Sequence, residues 1–354
     1  HAEEFASGLI QMGVQPSDRI GLYAENSPEW RTADFGISDA AGIDSVLSSV
    51  SHTLSANLEN LILTGSNAST GTGNALNNLL DGAQNSAANV LTGLAGNDTY
   101  LVGAGDSVVE GLNGGIDLVK ANVNFTLSDN VENLTLLAGA ADGTGNALAN
   151  LIIGNDGDNR LDGKAGIDNL QGGKGNDTYT VDLTTANALE DLIAEGLNEG
   201  TDTLALRGGN TALATAVTLA LGVNLENLDA SATGLSKLNL TGNALNNTLL
   251  GNAADNQLNG GLGNDQMLGG LGNDSYFIDS LADSVIEAAD EGTDLVNVGL
   301  AIANGSYSLG ANLENATLTN AVAFDLTGNA LNNVLKGNAL NNRIDGGLGA
   351  DVMD

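Results

Sequence analysis

The sequence predicts an all-β protein, a right-handed parallel β-roll or β-solenoid carrying a short α/β cap-like segment at its N-terminus. Three observations predict it. Glycines recur every nine residues, most clearly at Gly242, Gly251, Gly260 and Gly269, and each opens a Gly/Asn/Asp-rich turn that ends in a short apolar triplet. Aromatic residues make up only 3% of the 354 residues while glycine reaches 49, so the Leu, Ala, Val and Ile present suit a thin core between two close β layers. A longer unit then repeats around each glycine array, as an array of repeats does and independent domains do not.

The first 41 residues differ from the rest. Both prolines (Pro16, Pro28) and the single tryptophan (Trp30) lie before a compositional break at residues 36–42, and the Gly/Asn/Leu pattern lies wholly after it. Ala2 to Met12 reads as a helix with Phe5, Leu9 and Met12 on one face, and Asp18 to Ala24 reads as a strand. Ser27-Pro28 starts a second helix, with proline at its first position.

Residues 42–354 read as one β-solenoid. Each unit opens on a Gly-x-Asp head (Gly42-Ile-Asp44, Gly115-Ile-Asp117, Gly200-Thr-Asp202, Gly292-Thr-Asp294). A strand ending in Glu-Asn follows, at Glu59, Glu132, Glu226 and Glu314. Thr-Gly-Asn-Ala-Leu then opens nonapeptide arrays near 73–102, 145–182, 242–279 and 328–354. The first three arrays close on an aromatic strand at Tyr100, Tyr179 and Tyr276. These tyrosines read as core or edge packing rather than as a platform for stacking sugars. The units are unequal in length, which predicts longer, irregular coils between the arrays.

Each nonapeptide divides into six turn residues and three strand residues. Glycine supplies the positive φ and close backbone approach that the turn needs. The apolar residue at the eighth position points inward and stacks on its counterpart in the next coil. In Gly172-Gly-Lys-Gly-Asn-Asp-Thr-Tyr-Thr180, Asp177 falls at the junction of turn and strand, where a carboxylate meets backbone carbonyls. Such an all-oxygen environment suits Ca²⁺. Forty-four Asp and Glu against ten Lys and Arg give a net charge of −34, so the chain repels itself until cations arrive.

The same balance excludes nucleic acid as a partner, because no basic stripe is present to neutralise phosphates. The absence of cysteine and a total of two histidines (His1, His52) exclude thiolate and His-based zinc sites. No apolar run is long enough to span a membrane. Neither a Gly-x-Ser-x-Gly elbow nor a His-Glu-x-x-His helix occurs. A chain beginning at His, with no signal peptide, is expected to be a piece of a longer protein.

Residues 42–354 resemble the repeats-in-toxin (RTX, haemolysin-type) family, whose consensus nonapeptide is Gly-Gly-x-Gly-x-Asp-x-apolar-x. The resemblance implies a roll in which two nonapeptides form one 18-residue coil, with calcium between turns one coil apart. It implies ligands from the sixth-position residues Asn89, Asp98, Asn150, Asn159, Asp168, Asp177, Asn247, Asn256, Asp265, Asp274, Asn333, Asn342 and Asp351. The chain departs from the consensus in an ordered way, because each array begins with Asn at that position and finishes with Asp. Turns 18 residues apart therefore pair Asn159 with Asp177 and Asn256 with Asp274, which predicts fewer or weaker ions than a full consensus roll holds. Early turns are expected to use asparagine ladders, bonding amide to amide between coils. Asp156, Asp158 and Asp255 add carboxylates beside the mixed pairs. The candidate metal ligands are thus Asp98, Asp156, Asp158, Asn159, Asp168, Asp177, Asp255, Asn256, Asp265, Asp274 and Asp351, with Gly172, Asn176, Gly269 and Asn273 from the same turns. Asp106, Glu110, Asp283 and Glu287 fit an x-Val-x-Glu strand and read as solvent-facing.

Residues 1–38 resemble the N-terminal part of long-chain acyl-CoA synthetases through Phe5 to Ile20, Ala24 to Trp30 and Ala33-Asp34. The match covers about a tenth of the chain, and that family's ATP loop and catalytic acidic and Lys residues have no counterpart downstream. The segment is either a fusion relic or a cap on the exposed solenoid end. The RTX resemblance implies a secreted or cell-surface bacterial protein, exported by type I secretion and folding on calcium as a structural or adhesive scaffold, without catalysis. Alternatives are an accessory region of a secreted hydrolase and a subunit that assembles end to end into a surface layer or filament. An acyl-CoA ligase is the least favoured.

Overall fold

In the computed structural model, residues 43–183, 189–209 and 211–354 are described. The predicted N-terminal helices and strand lie outside these residues. The chain divides into two compact units after Ala140. Each is a parallel β-solenoid, because every ladder between named strands is parallel and successive strands of the chain alternate between facing sheets.

In the first unit, Ser45–Ser48, Asn60–Leu63, Leu79–Asp81, Thr99–Val102, Leu118–Ala121 and Asn133–Leu136 stack in chain order. His52–Thr53, Thr70–Thr72, Val90–Thr92 and Ser107–Val109 form the facing sheet. Short strands turn one or two side chains inward, so each coil adds only one or two apolar residues per sheet to the core. Leu61, Leu80, Tyr100, Val119 and Leu134 fill that position in register, and each is fully buried.

The second unit repeats the pattern. Asp142–Thr144, Arg160–Asp162, Thr178–Asp182, Thr203–Arg207, Asn227–Asp229, Thr248–Leu250, Gln266–Leu268 and Ser284–Val285 stack in one sheet. A facing sheet runs from Val217–Ala220 to Val352–Met353. The eighth-position residues stack as the periodicity predicts, Leu249 on Met267 and Leu258 on Tyr276, all buried. Their partners are two nonapeptides apart, so one coil is two repeats. Between arrays the coils lengthen, and Tyr179 pairs with Leu204 across a loop that spaces Asp177 and Asp202 by 25 residues.

The C-terminal ends of the neighbouring strands Arg160–Asp162, Thr178–Asp182 and Thr203–Arg207 carry an ion-pair bridge. The Arg207 guanidinium donates to Asp182 Oδ1 at 2.5 Å and to Asp162 Oδ2 at 2.7 Å, holding Asp162 below the usual carboxylate range despite its partial burial. Replacing Arg207 with Leu is expected to cost about 1 kcal/mol, because the site is partly exposed and screened. Thermal melts in low and high salt check this: the loss shrinks with salt, and an unchanged melting temperature in low salt would rule the bridge out as a contributor.

Candidate metal centres

In every nonapeptide that opens on glycine, the sixth residue sits where the turn enters the strand, and its side chain folds back under that glycine; the repeat of Asn89, with Gln84 in the first place, is the exception. A Cβ added at Gly93, Gly163, Gly172, Gly260 or Gly269 would overlap the carboxylate of the Asp five residues on. Glycine at the first position is therefore the vacancy into which the acid packs. Asp98, Asp168, Asp177, Asp265 and Asp274 are accordingly buried.

Each of these carboxylates divides its two oxygens. One accepts the backbone N–H of the sixth-position residue a coil earlier: Asn78 N to Asp98 Oδ1 at 2.6 Å, Asn150 N to Asp168 at 2.6 Å, Asn159 N to Asp177 at 2.7 Å. The same holds for Asn247 N to Asp265 at 2.8 Å, Asn256 N to Asp274 at 2.6 Å and Asn333 N to Asp351 at 2.9 Å. The expected Asn–Asp neighbours, Asn159 with Asp177 and Asn256 with Asp274, are thus in direct contact through backbone and carboxylate. The other oxygen of Asp98, Asp168, Asp177, Asp265 and Asp274 has no hydrogen-bond partner.

Sixth-position asparagines behave differently. Asn247 Nδ2 donates to the Leu225 and Glu226 carbonyls of the preceding coil, and Asn333 Nδ2 to those of Leu313 and Glu314. Their Oδ1 atoms accept the N–H four residues back, as Asn243 N to Asn247 shows. The predicted amide-to-amide ladder between coils does not run through the sixth position, whose amide bonds to backbone carbonyls of the preceding coil; one such bond between coils is made elsewhere, by Asn338 Nδ2 to Asn320 Oδ1 at 2.6 Å. Where Asn closes its turn with its own donors, Asp leaves a buried oxygen without a partner.

The fifth-position and flanking acids lie further out. Asp158 and Asp255 are exposed, and each accepts a fifth-position N–H one coil on, from Asn176 and Asn273 at 2.7 and 2.9 Å. Asn176 and Asn273 in turn accept, through Oδ1, the N–H groups of Thr201 and Thr293. Asp156 pairs with Lys174 at the surface.

The solvent-facing reading of four acids is overturned. Glu110 and Glu287 are 8% and 7% exposed, and Asp106 and Asp283 are half-buried, accepting the N–H groups of Asn89 and Asp265. The cause is strand alternation: Val108 and Glu110, like Val285 and Glu287, are two residues apart and share the inward face. Each glutamate accepts the hydroxyl of the array-closing tyrosine, Tyr100 to Glu110, Tyr179 to Glu195 and Tyr276 to Glu287. The tyrosines are fully buried, as read from the sequence. The head aspartates join them. Asp117 accepts the N–H of Asp98, Asp202 that of Asp177 and Asp294 that of Asp274. Their own N–H groups go to Glu132, Glu226 and Glu314 of the Glu-Asn motif.

Ten buried side-chain atoms among the described residues lack a hydrogen-bond partner, and nine are carboxylate oxygens. An ionised carboxylate so placed is costly unless a cation or proton meets it. Burial accordingly pushes Asp98, Asp177 and Asp265 up to about 6, and Asp168 and Asp274 up to about 7. Hard, oxygen-only ligands with unmet negative charge fit Ca²⁺. Residues 72–109, 144–183, 241–276 and 327–354 match the family model for the RTX calcium-binding nonapeptide repeat.

The four arrays are RTX calcium-binding repeats. In them the sixth-position Asp and the carbonyls around it would hold the ion. The AMP-binding enzyme family model matches residues 1–59. The last part of that stretch, including Ser45–Ser48 and His52–Thr53, forms the first coil of the solenoid, ahead of the first matched array, so the match runs past the compositional break. A search of curated proteins gave no match. Among the described residues no helix is long and apolar enough to cross a membrane.

The candidate ligands read from the sequence leave out Asn78, the first sixth-position residue, Asp117, Asp191, Asp202 and Asp294, the buried Glu110 and Glu287 and the half-buried Glu195. The Gly-x-Asp heads recur with every unit, and that recurrence was the signal for Asp117, Asp202 and Asp294; Asp191, which follows Leu189-Glu190, carries no such mark. The glutamates stand at uneven distances after their tyrosines, which hid them.

Proposed function

We propose that this chain is a calcium-gated folding module of a secreted or cell-surface protein, exported by type I secretion and acting without catalysis as a structural or adhesive scaffold. The observation that carries the reading is the set of buried, unpartnered carboxylate oxygens that recurs in the turns of each unit. At the low calcium of a cytosol, the −34 chain meets the cost of burying these charges with nothing to offset it, and stays extended and exportable. Bound calcium supplies the positive charge that the turns lack, so its binding free energy becomes folding free energy. The asparagine turns close on their own hydrogen bonds and set the register, while the aspartate turns make folding conditional. End-to-end association of solenoid ends is compatible with this role.

Far-UV circular dichroism of the chain, titrated with Ca²⁺ and with Mg²⁺ as control, tests the reading. A coil-to-β transition with calcium alone is expected, since Mg²⁺ keeps its waters and demands a tighter octahedral shell. A β spectrum indifferent to chelator would instead make the chain a constitutive fibre held by its Asn and Gly turns.

A further inference from the structure

We propose that each of the first three arrays is closed by a calcium site of a second kind, built from three carboxylates rather than from paired turns, with a tyrosine as positioning residue. The clearest example joins Asp274, Glu287 and Asp294, each buried, with one carboxylate oxygen apiece lying within 4.8 Å of the others. Asp98, Glu110 and Asp117 repeat it in the first unit, and Asp177, Glu195 and Asp202 repeat it once more in the second.

The geometry follows from the topology. The two aspartates of each site stand in register on consecutive coils, linked by the N–H of one and the carboxylate of the other. The glutamate arrives from elsewhere, at the end of a facing-sheet strand: Ser107–Val109, Leu192–Ala194 or Ser284–Val285. A turn site of the nonapeptide kind has no such third acid. The tyrosine hydroxyl donates to one glutamate oxygen; in two sites it also accepts the N–H of the array's last first-position glycine, Gly172 or Gly269. That relay fixes which glutamate oxygen is spent on the phenol, and leaves Oε2 of Glu195 and Glu287 for another partner.

A second observation points to a ligand. Oδ2 of Asp98, Asp117 and Asp274 and Oε2 of Glu287 are unpartnered, on side chains more than nine-tenths buried. Among the described residues no Lys or Arg pairs with them. Three acids converging on one point without a cation repel one another, and oxygen-only, anionic donors select a hard divalent ion. Calcium affinity rises with the number of charged ligands, so these sites fill before the Asn–Asp turns. The inference rests on the calcium reading for the identity of the ion and on its own residues for the site.

The test is calcium-45 equilibrium dialysis on the full chain and on Glu110→Gln, Glu195→Gln and Glu287→Gln, singly and combined. Glutamine keeps the shape and the tyrosine bond but removes the charge. Each single change is expected to remove one ion from the tightest class, or to weaken it about tenfold or more, with later ions retained. An unchanged tight class in the combined variant overturns the proposal while leaving calcium-dependent folding intact. A wild-type chain that binds no calcium defeats the functional reading itself. Should the variants fail to fold, terbium titration of the wild-type chain decides. Tyrosine-sensitised emission rising over the first three equivalents is expected; emission that rises only after those equivalents counts against the sites.

Discussion

Freed of metal, the chain is expected to gain β structure on acidification, with melting temperature in chelator rising as pH falls from about 8.5 to 5. Burial raises the folded-state values of Asp98, Asp177, Asp265 and Asp294 to about 6, of Glu110, Glu195, Asp168 and Asp274 to about 7, and of Glu287 to about 9. In the unfolded chain such groups titrate near about 4. Between those limits the folded state binds more protons than the unfolded one. Stability from these groups is therefore fully present below the unfolded value and is lost as pH rises through 6 to 9. Protons and calcium compete for the same oxygens. Saturating calcium is expected to flatten the profile over this window, and calcium binding near pH 7 to release protons. Asp162 runs the other way: Arg207 lowers it, so its contribution is present at neutral pH and lost on strong acidification. Melts in chelator and in calcium across this range check the sign. Stability in chelator that climbs from pH 5 to 8.5 would contradict it.

Gly292→Ala is expected to be the most damaging single substitution outside the ligands, with Gly200→Ala and Gly115→Ala close behind. A Cβ at each would overlap the backbone carbonyl oxygen of a turn glycine on the preceding coil, Gly272, Gly175 and Gly96 respectively, far inside the 3.0 Å that real Cβ contacts respect. Those turn glycines hold φ near +128°, +116° and +116°, a region that a side-chained residue resists, so the obstacle is a fixed backbone. Relief requires the two coils to separate, and the buried head aspartate two residues on moves with them. The cost is expected to reach about 3 kcal/mol or more, with calcium affinity falling in parallel. Gly111→Ala is the control, because a Cβ there meets nothing within 4 Å. Calcium-dependent melts of the four variants decide the matter. Equal behaviour of Gly292→Ala and Gly111→Ala would show that the coils are not held at this spacing.

Much of this could be read from the chain alone. A strict nine-residue glycine period with one apolar residue at the eighth position leaves few options. The turns need glycine, the triplets are too short to be anything but strands, and Leu249, Leu258, Met267 and Tyr276 stack two repeats apart as the period demands. The sixth-position acids were legible for the same reason, since their place in the turn is local. Local sequence also carried the departure from consensus, with Asn opening and Asp closing each array.

The burial of Glu110 and Glu287 was decided only by the tertiary structure. Alternation with Val108 and Val285 already put both on the inward face, yet a lone carboxylate in a core is so costly that an exposed placement was the reasonable reading. What reverses it is not local. Tyr100 and Tyr276 supply a donor from the facing sheet, and Asp117 and Asp294 converge from the next coil, at loop lengths that vary from unit to unit. The repeat period dictates the ladder that each residue joins. Which acids meet across the core depends on coils of uneven length closing over one another, a long-range condition that no window of sequence contains.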